Sequence, residues 1–262
     1  MYKLSKPKKL KPGKLERPCI IEEKIDGWRM VIWEGNAYGR SPDNLGRWIN
    51  KWEKLPDFIQ SLASSTPVDG EVYWPGKDSA AVATGLKERS PELEFIGFRI
   101  ANKKLYPLDH LKEVNRLGIK IPEMFYPDYV EHPDIERLME VAKDDGIEGW
   151  VLKEKFMTEV WWKLKVTETY DVIVTGLKWP LSGKNKINGW IKSLVCSAYR
   201  DGILVEVANV SGMTDEVRAS ISEKDIGRVI EVEANLLASK GKLKHPRFIR
   251  WRDDKNEKEC RI

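Results

Sequence analysis

The sequence predicts an α+β region followed by an all-β region. Three observations carry that reading. The chain has 262 residues, a length that favours two domains over one. Up to about residue 167, β-rich runs alternate with segments of helical periodicity. Beyond it, β-rich runs follow one another between turn signals, with one helical segment interposed.

The first region begins with residues 1–17, held from helix by Pro7, Pro12 and Gly13 and expected to be extended or disordered. Pro18 to Ile21 is strand-like, and so is Arg29 to Trp33. Asp26-Gly27 between them is a turn signal, which predicts Lys24 at or near a tight strand-to-strand connection. A lysine there can project from rigid flanks into a cleft. It can attack an electrophile once its proton is lost, which burial or neighbouring cations favour. The plain alternative is an exposed lysine beside a hairpin turn. Ala37 to Ser41 reads as a short strand end bearing Arg40. Leu45, Trp48, Trp52 and Leu55 recur at helical spacing, predicting an amphipathic helix over 44–55 that Pro56 ends or kinks, with the Trp/Leu stripe in the core. Val68 to Trp74 and Leu93 to Ile100 are predicted strands, and Ser79 to Lys87 a short helix. Leu108–Leu117 and Pro133–Lys143 are predicted helices, the second closed by Asp144-Asp145-Gly146. Ile147 to Lys153 and Glu159 to Val166 complete the region as strands.

In the second region, Tyr170–Leu177, Trp190–Ala198, Ile203–Val210, Val229–Leu237 and Phe248–Arg252 are predicted strands. Thr214–Ser222 is a short helix behind an N-cap threonine. Five strands with one interposed helix fit the small OB-type barrel, which commonly binds nucleic acids.

Composition narrows the function. Hydrophobic residues make up 41% and charged residues 33%, a globular balance. The net charge of +4 is unevenly spread: residues 1–17 hold seven basic residues and one acid, and Lys178, Lys184, Lys186 and Lys192 lie in a stretch without an acid. Clustered cations point to a polyanion such as nucleic acid, or else to a solubilising tail and loop. The three cysteines (Cys19, Cys196, Cys260) match neither a zinc spacing nor a disulfide framework, which fits a reducing, intracellular (cytoplasmic) setting. The N-terminus has no signal-peptide apolar core, and no run approaches a membrane span. Three histidines outside any recognisable pairing make a Ser-His-Asp hydrolase or a histidine-ligated metal site a poor fit.

Several short motifs then occur in a telling order. They are Lys24-Ile25-Asp26-Gly27-Trp28-Arg29, Gly39-Arg40-Ser41, Asp69-Gly70-Glu71, Phe95-Ile96-Gly97-Phe98, Glu148-Gly149-Trp150-Val151-Leu152-Lys153, Trp162-Lys163-Leu164-Lys165, and His245 to Lys255 with its closing Arg252-Asp253-Asp254-Lys255. Each is weak alone. Together, spanning residues 22 to 255, the chain resembles the covalent nucleotidyltransferases and, within them, the ATP-dependent DNA ligases of compact, minimal type. The resemblance implies a nucleotidyltransferase (ATP-grasp-like) domain of antiparallel sheets and helices over 1–167, then an all-β OB-fold barrel over 168–262.

The resemblance also implies roles. Lys24 would attack ATP and carry AMP as a phosphoramidate. Glu148 would bind the divalent metal, Mg²⁺ or Mn²⁺; Glu71 would contact the ribose and assist the metal. Arg29 and Arg40 would grip phosphate and ribose. Phe98 and Val151 would flank the adenine, Glu22 would accept from its amino group, and Ile25 belongs to the same nucleotide-binding set. Lys163 and Lys165 would hold phosphate oxygens and help free the Lys24 amine. Asp26 would position the reacting strand ends or metal. Arg252, Asp254 and Lys255 would orient the pyrophosphate. The partner would be nicked double-stranded DNA, bound by a monomer with no membrane association. The basic N-terminus would supply phosphate contact, so that removing residues 1–15 weakens nick binding and leaves adenylylation little changed.

Each assignment has a plainer reading. Glu71 and Glu148 could be strand-end acids in ion pairs, Phe98 could be core, and Lys163 and Lys165 could alternate on a half-exposed strand. The chain also departs from the family pattern. Arg99 stands where an acid often follows the aromatic, Trp150 is bulkier than its usual counterpart, and residues 178–190 form only a short basic loop. An RNA ligase or an mRNA capping guanylyltransferase shares most of the motifs, although the run before Arg252 favours DNA ligase. A non-catalytic nucleic-acid-binding OB protein is the rival from another class, but it needs no nucleophilic lysine.

Overall fold

The computed structural model describes residues 4, 7–11, 15–43, 45–156, 160–237 and 241–262. The chain forms two units, Met1–Lys165 and Val166–Ile262.

The first unit runs β1 (Lys8–Lys9), β2 (Cys19–Glu23), β3 (Trp28–Trp33), β4 (Asn36–Gly39), α1 (Asp57–Leu62), β5 (Val68–Tyr73), α2 (Ser79–Glu88), β6 (Glu94–Ile100), α3 (Pro107–Arg116), α4 (Ile135–Asp144), β7 (Gly149–Glu154) and β8 (Trp161–Lys165). Its strands make two four-stranded sheets, ordered β1-β8-β7-β2 and β4-β3-β5-β6. The second sheet buries Met30, Ile32, Val68, Val72 and Phe95 against Val82 and Leu86 of α2 and Val114 of α3. Burying such side chains contributes about 1.5–3 kcal/mol each.

The runs flanking Lys24 do not pair with each other as expected. β2 pairs with β7, whereas β3 pairs with β4 and β5, so residues 24–27 carry the chain from one sheet to the other. Gly27 permits the crossing, because a Cβ there would lie 2.4 Å from the Val72 carbonyl oxygen.

Residue 44 lies outside the described residues; over 45–55 the expected helix is replaced by irregular chain and a 3-10 turn, Trp52–Lys54. Local side-chain hydrogen bonds outcompete it. Asp43 Oδ1 accepts from the Leu45 and Arg47 amides, and Asn50 Oδ1 accepts from the Ala37 and Trp52 amides. Trp52 and Leu55 reach the core, while Leu45 and Trp48 are exposed. The helix begins instead after Pro56, as α1. Asp78 and Asp134 cap α2 and α4 by accepting amide hydrogens of their first turns.

The second unit runs β9 (Thr167–Lys178), α5 (Lys184–Ile187), β10 (Ser193–Arg200), β11 (Ile203–Val210), α6 (Asp215–Ser220), β12 (Val229–Leu237) and β13 (Leu243–Trp251). The strand order is β11-β10-β9-β12-β13. One parallel bridge, Ser211 to Arg247, and the Phe248 amide donating to Ser211 O at 3.2 Å join the two edge strands. The expected barrel is therefore a curled, partly open sheet, as OB folds commonly are. Val172, Val174, Leu194, Cys196, Val207, Ile230 and Val232 fill it. β13 starts earlier than expected because Pro246 falls where the pairing of β12 and β13 slips, so its missing donor breaks no ladder bond. Among the described residues, no helix is long and apolar enough to cross a membrane.

Candidate functional site

The period-2 alternation of strands places one set of side chains on one face of the first sheet. Register pairs Glu22 with Val151, Val151 with Lys163, and Gly149 with Lys165. Glu22, Val151, Lys153, Trp161, Lys163 and Lys165 all line a cavity of about 410 Å³, a volume ordinary for small-molecule sites. The second sheet closes it with Arg29, Glu71 and Phe98; Ile25 and Arg40 also line it. The alternation of Lys163 and Lys165 with Trp162 and Leu164 thus reflects a face turned to this cavity.

Lys24 sits where β2 ends. Its backbone amide donates to Gly149 O at 2.9 Å, and its Nζ donates to Glu148 and, at 3.4 Å, to Ile25 O. Lys165 Nζ donates to the other Glu148 oxygen, so one carboxylate holds two ammonium groups. Gly149 makes this approach possible: its φ is 132°, and a Cβ would lie 2.0 Å from Leu164 O.

At the opposite side of the same face, Lys153 Nζ lies 2.6 Å from both oxygens of Glu22. It donates to Oε2; the buried Oε1 has no hydrogen-bond partner among the described residues. Burial pushes the Glu22 carboxyl up and the Lys153 ammonium down, each opposed by the attraction of its partner.

The second sheet supplies a charged centre that the sequence reading did not single out. Asp69, fully buried, accepts from Arg29 Nε at 2.8 Å and Nη2 at 2.7 Å, and from Arg99 Nε at 3.0 Å. Asp69 and Arg99 are direct cross-strand partners, and Arg29 reaches Asp69 along the diagonal. Arg99, the departure from the family pattern, is therefore a second cation on this buried acid. The β5–β6 pairing slips between Asp69 and Gly70, leaving Phe98 as an extra residue that the bulge can aim at the cavity. The Trp161 ring stands edge-on to Phe98, with centroids 6.3 Å apart, and lies under Lys153 at 4.1 Å and Arg29 at 4.7 Å. Asp69, Arg99, Lys153 and Trp161 were all missed as site residues. Burial of charge at a strand centre was the only signal, and it is invisible without the pairing.

Asp26 points elsewhere: its Oδ2 accepts from the Ser79 amide at 3.2 Å, at the start of α2. A smaller cleft of about 310 Å³ shares Arg29, Arg40 and Glu71 with the main cavity and adds Trp28, Ser41 and Lys51.

Burial pushes the Glu71 carboxyl up to about 7, against the attraction of Lys24 and Arg29 and with the repulsion of Glu148 and Asp69. The folded chain then binds a proton that the unfolded chain releases above about 4.5, so stability falls as pH rises from there to about 7 and levels beyond. In protein free of nucleotide and metal, Glu71→Gln is expected to raise the unfolding free energy at pH 8 by about 2–3 kcal/mol. At pH 5 the gain should shrink to less than half. Urea denaturation at the two pH values measures this, and an equal gain at both would exclude Glu71 as the titrating group.

Among the described residues no group of three or more His, Cys, Asp or Glu side chains is placed to hold a metal ion. The carboxylates of Glu148 and Glu71 nonetheless suit Mg²⁺, which takes one or two carboxylates and completes its shell with water and phosphate.

In the second unit Arg252 is clamped. Its Nη1 donates to Asp171 at 2.9 and 3.2 Å, and its Nε and Nη2 donate to Asp254 at 2.9 and 2.8 Å. Lys255 Nζ lies 3.2 Å from Glu259. Of the four lysines between 178 and 192, Lys184 is paired with Asp215 at 2.5 Å; the apolar Leu181 and Ile187 beside them are exposed.

Comparison with known proteins bears on both units. Residues 182–252 match the family model described as the DNA ligase OB-like domain. A DNA ligase of Archaeoglobus fulgidus is 25% identical over 307 aligned positions, covering 93% of this chain and 53% of that protein. The chain thus spans about half the length of this relative. Among solved structures, one described as "DNA binding with a minimal scaffold: Structure-function analysis of Lig E DNA ligases" matches with a TM-score of 0.72 and 17% identity, covering 96% of this chain and 100% of that one. A second, named Pmar-Lig_Pre, matches with a TM-score of 0.66 and 19% identity over 95% of this chain and 68% of its own. At these identities the likeness is one of fold.

Proposed function

We propose, for a chain that carries the DNA ligase OB-like domain on the fold of the DNA ligases, that it is an ATP-dependent DNA ligase: an intracellular monomer that seals 5′-phosphate/3′-hydroxyl nicks in duplex DNA. Residues 1–167 would take up the nucleotide, and residues 168–262 would be the OB domain. The observation that carries this reading is that Lys24 and Lys165, both lining the cavity, share Glu148, while Glu22 presents there a buried oxygen that accepts no hydrogen bond among the described residues.

An ammonium is no nucleophile, and Lys24 has a proton acceptor in contact, Glu148. After proton transfer the Lys24 amine attacks the α-phosphorus of ATP. A P–N bond forms, the P–O bond to pyrophosphate breaks, and Lys163 and Lys165 hold the charge on the phosphate oxygens. Phe98 and Val151 would flank the base, with Glu22 Oε1 accepting from its amino group. Mg²⁺, when bound at Glu148 and Glu71, supplies further neutralisation of phosphate charge. The AMP then passes to the 5′-phosphate of the nick, and the 3′-hydroxyl attacks that adenylylated end with AMP leaving.

The test is sealing of a nicked duplex with ATP and Mg²⁺. Covalent label from GTP in place of ATP would turn the reading to a capping enzyme, and absence of any covalent nucleotide would leave a DNA-binding protein. A further expectation separates the steps. Arg252→Ala or Lys255→Ala should lower self-adenylylation by about a hundredfold, the size of a lost charge-stabilising donor, yet still seal a nick whose 5′-end is already adenylylated. Glu148→Ala should impair both reactions. Normal labelling by Lys255→Ala together with failure on the pre-adenylylated nick would assign this segment to DNA contact.

A further inference from the structure

The basic N-terminal segment was expected to contact DNA phosphates, with little effect on adenylylation when removed. The structure places part of it in the nucleotide site. Pro7 lines the same cavity as Lys24 and Phe98. Lys8 and Lys9 form β1, which pairs in parallel with β8: Lys8 lies opposite Trp162 and Lys9 opposite Lys163. The Leu10 amide then donates to Lys163 O at 3.1 Å. This register sets Pro7 beside Trp161, the ring that stands against Phe98. β8 carries Lys163 and Lys165, and β1 is the strand paired with it on that edge of the sheet.

We propose that residues 7–10 are a nucleotide-positioning strap: a detachable edge strand that closes the cavity beside Trp161. The inference rests on the nucleotide reading above and deepens it. A two-residue edge strand is too short to be stable on its own and depends on what it covers. Pro7 suits the cavity side because it has no amide hydrogen to leave unmet there. Nucleotide in the cavity gains contact with the strap only when β1 is paired. Nucleotide therefore stabilises the pairing, and by linkage the pairing raises nucleotide affinity by the same factor. Lys8 and Lys9 are exposed on this strand, so a polyanion that neutralises them acts on the same element.

The test uses the full chain, a form lacking residues 1–10, and Leu10→Pro, which removes the amide that donates to Lys163. The ATP concentration for half-maximal AMP uptake should rise about fivefold to tenfold in both variants, a typical coupling factor. The rate at saturating ATP should stay within about twofold, since a positioning role acts on binding. In the unaltered chain, ATP should slow hydrogen exchange at the Leu10 amide, a readout that survives if Leu10→Pro fails to fold. ATP curves that coincide for the shortened and full-length chains overturn the strap, and so does exchange at Leu10 that ignores ATP. A full-length chain that takes up no AMP overturns the proposed function itself, an outcome distinct from either.

Discussion

Lys24→Ala is expected to lose covalent AMP uptake by at least about a thousandfold, because no other group can replace a positioned nucleophile. Three other lysines line the cavity, so the assignment needs an argument. Lys153 is fully buried and committed to Glu22, with burial favouring its neutral form but also enclosing it. Lys163 and Lys165 lie on β8, near the sheet edge that β1 covers. Lys165 is the real competitor, since it shares Glu148 with Lys24 and is similarly accessible, 25% against 19%. What separates them is the backbone. Lys24 sits at a crossing between sheets, fixed by its amide to Gly149 O, and its position does not depend on an edge strand. Lys165→Ala should therefore label slowly but measurably, and peptide mass spectrometry of the unaltered chain should find AMP on Lys24. AMP on Lys165, or persistent labelling of Lys24→Ala, would exchange the two roles.

Much of the site was legible because chemistry fixes residue types at short spacing. Lys24, Glu148, Lys163 and Lys165 stand in local motifs, whereas the placing of Val151, Lys163 and Lys165 on one face comes from the pairing of β7 with β8. Most of the strands were legible for the same reason, from apolar runs between turn signals. What failed depended on long-range pairing or on competing local bonds. The 44–55 periodicity was real, but Asp43 and Asn50 captured the amides a helix would have used. The runs around Lys24 looked like a hairpin because nothing local says that β2 finds β7 and β3 finds β5, partners far away in the chain. Phe98 owes its aim to a bulge set by register with Asp69, and Pro7 owes its place to a parallel pairing with β8. Arg99 looked like a defect in a motif until its partner was known.

That partner leads to the largest expected effect on stability. Asp69→Ala should cost about 3–5 kcal/mol, the penalty for leaving a buried charge without its counterion. Here two guanidinium groups, Arg29 and Arg99, lose a fully buried carboxylate that both contact, and their mutual repulsion beside the Trp161 ring is no longer offset by it. For a domain of ordinary stability, about 5–15 kcal/mol, that is a large fraction of the total. Asp69→Asn should cost less, because the amide oxygen still accepts one hydrogen bond while the charge is lost. The decisive comparison is Asp69→Asn combined with Arg99→Leu. If charge imbalance is the cause, removing the second cation should recover at least about 1 kcal/mol relative to Asp69→Asn alone, a non-additivity within the usual range for contacting residues. Urea denaturation of the four proteins at pH 7 measures the cycle. The consequence reaches the nucleotide, since Arg29 lines the cavity and Asp69 holds it there by two bonds. Even at a temperature where Asp69→Asn is folded, it should need more ATP for half-maximal AMP uptake. A cost below about 1 kcal/mol for Asp69→Ala, outside the range for an orphaned buried charge, would mean that water or another acid reaches the two arginines and that the buried hub does not set the position of Arg29.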